Sequence, residues 1–311
     1  MKNTIGIDIS KERLDAHALA SAEHRQFPNT GAGHRALLQW VRVQPYDLVV
    51  FEPSGAYHRQ VETVLSERGI SFVKVNPRQA RRFAEAIGKL AKTDRVDAAM
   101  LAKMGAVLSL EAVVPCDRKI YVLRNLLVAR RALVKDQTAA RSRLKTCMQS
   151  ILKRQIAARM RQIEKHMAEL DAALLKAVRA DHDLAQRFEI LKSIPGVGEI
   201  TAMAILIEMP ELGTLNAKQV ASLAGLAPAT RQSGNWQGKE CIRGGRAALR
   251  QAIFMPALTA IRYNAEFRAK YSSLIAAGKA PKVAVTAVMR KIIVLANALI
   301  RDGRKWVPNT A

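Results

Sequence analysis

Two short apolar runs each stop at an acid, and this restricts the fold more than any other feature of the chain. Ile5-Gly6-Ile7 runs into Asp8. Leu48-Val49-Val50-Phe51 runs into Glu52, with the turn signal Pro53-Ser54-Gly55 behind it. A wholly apolar run of this length reads as a strand buried on both faces, so its sheet needs a cover of helices. The neighbouring segments supply that cover. Residues 33–43 have helical periodicity through Leu37, Leu38 and Val41, and residues 57–68 read as a helix ending at Gly69. Residues 71–75 read as a strand closed by Asn76-Pro77, and residues 78–88 and 94–108 as helices. Residues 14–20 and 24–28 would extend the first strand into a hairpin or meander. Residues 1–115 are therefore predicted to form an α/β domain.

Two further acids belong with Asp8 and Glu52. Asp94 and Asp97 lie in Lys92-Thr93-Asp94-Arg95-Val96-Asp97-Ala98, which reads as helix, and their i,i+3 spacing puts both on one face. Clustered carboxylates repel, so four together are costly unless a hard cation such as Mg²⁺ neutralises them. The bland alternative is four unrelated surface acids. Acids that end buried strands are harder to dismiss in that way, and Asp8, Glu52, Asp94 and Asp97 are read as a divalent-metal nuclease centre.

Charge divides the chain. Lys and Arg total 50 against 26 Asp and Glu, a net +24 that favours a polyanionic partner, nucleic acid first. Residues 1–115 hold 16 basic and 12 acidic residues, leaving 34 and 14 for residues 116–311, so the candidate metal site lies in the nearly neutral part. Residues 118–180 contain neither Gly nor Pro and read as long helices. Ile156, Met160, Ile163, Met167, Leu170 and Leu174 alternate steps of four and three, the pattern of a coiled-coil seam. Between Arg118 and Lys165 stand fourteen Lys/Arg and only two acids, Asp136 and Glu164. A merely soluble coiled coil mixes both signs, so this arm is read as a nucleic-acid-binding flank.

Residues 186–311 read as a mostly helical block. Ile194-Pro195-Gly196-Val197-Gly198 between two helices resembles a helix-hairpin-helix turn, in which Gly196 and Gly198 would let backbone N–H groups approach a phosphate. Further on, Ser233 precedes a glycine in a polar, Gly-rich segment with Arg231, Lys239, Arg243, Arg246 and Arg250 close in sequence. Cationic side chains can hold a phosphodiester, and a serine among them could act as nucleophile. A turn serine bonded to its own backbone is the plainer reading. Cys116, Cys147 and Cys241 lack metal-site spacing, and the six His show no ligand pattern. The start has no signal-peptide pattern and no apolar run approaches a membrane span, which predicts a cytoplasmic chain with no membrane partner.

In order, the segments GIDIS, FEPSG, NPRQARRFAEAIGKLAKTDRVDA, SIPGVGEITA and GLAPATRQSGNWQGKECIRGG resemble the insertion-sequence one-ten family of DEDD transposases and the related Piv-type DNA invertases. The resemblance spans nearly the whole chain. It implies a ribonuclease H-like (RuvC-like) catalytic domain over residues 1–115, a coiled-coil helical segment over 116–185 and a mostly α-helical transposase domain over 186–311. It places the acidic tetrad on Asp8, Glu52, Asp94 and Asp97 and the transposase-domain serine on Ser233. It also implies one or two Mg²⁺ ions (Mn²⁺ as substitute), double-stranded donor and target DNA, and a structured non-coding guide RNA. A seam that one chain cannot bury alone, joining tetrad and serine in separate domains, predicts a homodimer or higher homo-oligomer. Two rivals remain: a RuvC-like endonuclease using water, and a non-enzymatic nucleic-acid-binding protein.

Overall fold

The computed structural model describes residues 2–88, 94–112, 118–230, 232–233, 236–238 and 240–308. The chain divides into two compact units, Met1–Cys116 and Asp117–Ala311.

The first unit is built on a five-stranded sheet. β1 (Thr4–Ile9), β2 (Arg13–Ala18) and β3 (His24–Pro28) form an antiparallel meander, followed by α1 (Gly31–Val43) and β4 (Leu48–Phe51). Then come α2 (His58–Glu67), β5 (Phe72–Lys74), α3 (Pro77–Ala86) and α4 (Asp94–Val107). β4 and β5 pair in parallel, giving the order β3-β2-β1-β4-β5. Strand alternation divides the residues of β1 between two layers. Ile5, Ile7 and Ile9 join Leu37, Trp40 and Val41 of α1 and Val61 and Leu65 of α2 in one core. Leu48, Val50 and Val73 face the other way, onto Ala80 of α3 and Met100, Leu101 and Met104 of α4. Asn76 caps α3 by accepting from the Arg78 N–H, and Pro77 at the first helical position needs no partner for the N–H it lacks.

α4 lies against β1 closely enough to demand glycine. A Cβ at Gly6 would stand 2.0 Å from the Ala98 carbonyl oxygen and 2.4 Å from the Ala102 nitrogen. A Cβ at Gly105 would stand 2.5 Å from Val50 Cγ2. Thr4 Oγ1 donates to the Ala102 carbonyl at 2.6 Å, so the helix backbone is bonded as well as packed to the strand.

Among the described residues, the second unit is helical apart from four two-residue strands. α5 (Arg118–Thr146) and α6 (Ser150–Arg179) pack on each other as a hairpin, and Arg130 is paired with Asp171 across it. Ile163 and Leu174 of the expected seam are buried and Ile156, Met160, Met167 and Leu170 half-buried, so the chain's own α5 covers much of that seam. The hairpin groups with the helices that follow it rather than as a unit of its own.

α7 (His182–Lys192), α8 (Glu199–Glu208) and α9 (Ala217–Leu223) follow. The short strands are β6 (Pro228–Ala229), β7 (Gln232–Ser233), β8 (Trp236–Gln237) and β9 (Cys241–Ile242), and α10 (Ala247–Tyr263), α11 (Ala265–Ala276) and α12 (Pro281–Arg301) complete the chain. α12 corrects one expectation: it is long and apolar enough to cross a membrane. Here it packs against α7, α9, α10 and α11, and half of its apolar window is buried. Its buried Asn297 accepts from the Gly213 N–H at 2.8 Å and donates to the Leu215 carbonyl at 2.7 Å.

Candidate active site

Backbone register brings the first unit's acids toward one place. β1 and β4 are parallel with Gly6 opposite Val50 and Ile7 opposite Phe51, so Asp8 and Glu52 each follow the last residue paired between the two strands. Alternation puts Asp8 on the face that carries α4, and Glu52 follows directly on the end of β4. α4 crosses that face with Ala102 beside Thr4 and Ala98 beside Gly6, so its first turn, with Asp94 and Asp97, comes to Asp8.

The electrostatics agree. The Asp8 carboxyl is pushed up from 3.8 to about 6, chiefly by burial, then by the negative charges of Asp97 and Asp94, with Asp15 adding and an Ile9 backbone hydrogen bond opposing. Asp94 is half-exposed and stands 3.9 Å from Arg13. Among the described residues, no three Asp, Glu, His or Cys side chains are gathered closely enough to hold an ion. Asp97 and Asp94 act on Asp8 by charge, but the expected four-acid cage is not closed. In donor type and sign the set fits a hard, oxygen-loving cation, because a positive charge there would reverse the penalty on Asp8.

Asp15 escaped the sequence reading. It lies opposite Asp8 on β2, is only 4% exposed, and accepts from His24 Nε2 at 3.1 Å and Gln26 Nε2 at 3.3 Å. The alternation of Arg13, Asp15 and His17 with Leu14 and Ala16 was the available signal. It becomes informative only once the β1–β2 register is known.

In the second unit, Ser233 sits on β7, its backbone paired antiparallel with Trp236, so the segment expected to be a flexible loop contains a short ladder. Arg231 and Lys239 lie outside the described residues. Arg243 is exposed. Arg246 is committed to structure: its guanidinium donates to both Glu211 carboxylate oxygens at 2.8 and 2.6 Å and to the Glu208 carbonyl at 2.6 Å. Burial pushes the Glu211 carboxyl up, but Arg246's hydrogen bonds and charge outweigh this and hold it below its ordinary value. Arg250 donates to the Gly244 carbonyl at 2.9 Å.

The two glycines of the α7–α8 turn differ. Gly196 has φ +84°, and a Cβ there would meet the Pro256 carbonyl oxygen at 2.5 Å, so packing on α10 already requires glycine. Gly198 caps α8 and borders open space.

Residues 5–153 match the IS110-type DEDD transposase family and residues 188–272 match the transposase family IS116/IS110/IS902. The chain belongs to this group of transposases, which are DNA-recombining enzymes. Among individual relatives, the pilin gene-inverting proteins of Moraxella bovis and Moraxella lacunata are each 29% identical over 98% of both chains. An insertion element IS110 protein of Streptomyces coelicolor is 34% identical over 42% of this chain and 32% of its own.

Proposed function

We propose that the chain is a Mg²⁺-dependent DNA recombinase that cuts and rejoins strands through a phosphoserine link on Ser233, guided by a structured non-coding RNA. One observation carries this reading: Asp8 lies near the end of a buried strand with the charges of Asp97 and Asp94 bearing on it from α4. The order β3-β2-β1-β4-β5, with three antiparallel and two parallel strands, supports a ribonuclease H-like first unit.

Asp8, Glu52, Asp94 and Asp97 would hold the cation, which when bound polarises a phosphodiester and offsets charge on its oxygens. The Ser233 oxygen attacks phosphorus. A serine–phosphate bond forms, the bond to one sugar oxygen breaks, and that oxygen leaves with a proton as a free hydroxyl. Rejoining to another hydroxyl reverses these steps without ATP, since the phosphodiester energy stays in the serine link. Arg231, Lys239 and Arg243 hold the phosphate, while Arg246 fastens the segment to the α8–α9 connection. The excess of cations in residues 116–311 reads backbone and shape, leaving sequence to base pairing with the guide. The active assembly is a homo-oligomer, and light scattering that finds only monomer with nucleic acid bound would remove that element. The full-length relatives are named for inverting a gene, which supports inversion as one outcome on suitable DNA.

The test is a short reaction on labelled DNA carrying the sequences that flank this gene, resolved under denaturing conditions. Metal-dependent, protein-linked strand ends are expected, and Ser233→Ala is expected to lose them. Strand-exchange junctions at the undiminished rate in Ser233→Ala would end the nucleophile assignment. A free 5′-phosphate with no protein attached would move the chain to the water-using endonucleases.

A further inference from the structure

Beside the carboxylates lies a cleft that the tetrad does not use. The stripe Arg13, Asp15, His17 and Leu19 along β2 and the stripe Arg95, Ala99 and Lys103 along α4 run side by side in the same direction. β2 and α4 are both antiparallel to β1, the first by strand pairing and the second by the contacts of Ala102 with Thr4 and Ala98 with Gly6. Between them is a cavity of about 330 Å³ whose walls include His17, Leu19, Ala99 and Met100 and whose α4 edge carries Arg95 and Lys103. That volume is at the lower end of small-ligand sites, about 300–1,000 Å³. Arg95 to Lys103 spans eight helical residues, about 12 Å.

Arg95 and Lys103 are exposed, and neither has a hydrogen-bond or ion-pair partner among the described residues, whereas Arg13 is drawn to Asp94. His17 adds no third cation: burial, then His24 and Arg95, lower its pKa, leaving a neutral ring that can exchange hydrogen bonds with a base. Two uncommitted cations about 12 Å apart over an apolar floor complement a ring flanked by two phosphates, whereas an apolar protein segment would leave both cations without a partner.

We propose that this cleft holds one nucleotide of an unpaired nucleic-acid strand, its base against Leu19, Ala99 and Met100 and its flanking phosphates on Arg95 and Lys103. His17 stands two residues beyond Asp15 on β2 and Arg95 follows Asp94 on α4, so a strand lying in the cleft is led toward the carboxylates. This element rests on the recombinase reading above and adds the track by which a strand reaches the site.

Photo-cross-linking of the full chain tests it with two probes, an oligothymidylate containing 4-thiothymidine and an oligouridylate containing 4-thiouridine. Trypsin releases residues 96–103 as one peptide, since it cuts after Arg95 and Lys103. A cross-link in this peptide is expected, and the probe that gives it identifies the strand as DNA or RNA. Ala99→Trp, which fills the cleft, is expected to lower that cross-link at least fivefold while cross-links on the α5–α6 hairpin stay constant. If Ala99→Trp fails to fold, the Arg95→Gln/Lys103→Gln double variant is expected to lower total cross-linking to residues 94–104 by a similar factor. No cross-link within residues 96–103 from either probe, or one undiminished in a folded variant, overturns the cleft. Cross-linking there in a protein that shows no metal-dependent cleavage would leave the cleft standing and remove the recombinase reading. Cleavage without the cross-link would do the reverse.

Discussion

Asp8 lies near the end of a six-residue strand paired on both sides and pressed by a helix backbone, whereas Ser233 occupies a strand of two residues that, among the described residues, pairs only with Trp236-Gln237. The two proposed chemical groups thus stand on opposite kinds of support. Acids forced together need a stiff frame, because without a cation they push apart. A nucleophile that must meet more than one strand end gains from a segment tied by few backbone bonds. The first unit holds its strain in packing, and the second holds its loop by side-chain anchors such as Arg246 with Glu211.

The largest expected effects set the two regions against each other. Asp8→Asn should lower strand cleavage by about 10³-fold or more, as expected when a ligand to a charge-stabilising cation is lost, while nucleic-acid affinity by fluorescence anisotropy stays within twofold. The same variant should melt higher than wild type in metal-free buffer at pH 7. A carboxyl raised to about 6 in the fold, against 3.8, costs stability above pH 6 and regains it as pH falls toward 4. After allowance for solvent screening at this half-buried group, the gain is about 1 kcal/mol. Ser233→Ala should abolish protein-linked ends with no change in melting temperature. A stabilised Ser233→Ala, or a destabilised Asp8→Asn, would break the contrast.

Next comes packing. Gly6→Ala must displace the Ala98 carbonyl and the Ala102 nitrogen, both backbone, and should cost about 3 kcal/mol or more in urea unfolding. Gly198→Ala, with open space at its Cβ and φ −83°, should cost less than about 1 kcal/mol.

Smaller effects sharpen the reading of the cations. Arg246→Ala should destabilise the second unit by about 1–3 kcal/mol, because Glu211 and the Glu208 carbonyl lose their donor. That stabilisation comes from a lowered carboxyl, so it is present above Glu211's ordinary value of 4.5 and fades as pH drops through and below it. Arg243→Ala should leave melting unchanged and lower the slope of log affinity against log salt by about one. Equal melting for the two variants would show that Arg246 is not the structural cation of the pair.

Much of the first unit was legible because its signals are local. The buried runs became β1 and β4, the alternating segments β2 and β3, and the periodic segments α1 to α4, with boundaries shifted by a few residues. Asp15 was missed because its importance depends on pairing with β1, which its own segment does not state. The heptad steps marked a seam but not its partner, and α5 of the same chain supplies one. Gly196 and Arg246, read as phosphate contacts, also have packing and anchoring duties set by α10 and Glu211, both distant in sequence.

Residue order alone decided which segments are strands or helices, where acids end the buried strands, and where positive charge accumulates, since propensity, periodicity and composition act over a few neighbours. Tertiary structure decided what those acids face. α4 lies on Gly6 by a backbone fit that no local pattern encodes, and that fit brings Asp94 and Asp97 to bear on Asp8. Coulomb and desolvation terms depend on distance through space, so Asp8's raised carboxyl, the buried Asp15 beside it and the cleft under Arg95 and Lys103 exist only once the chain has folded.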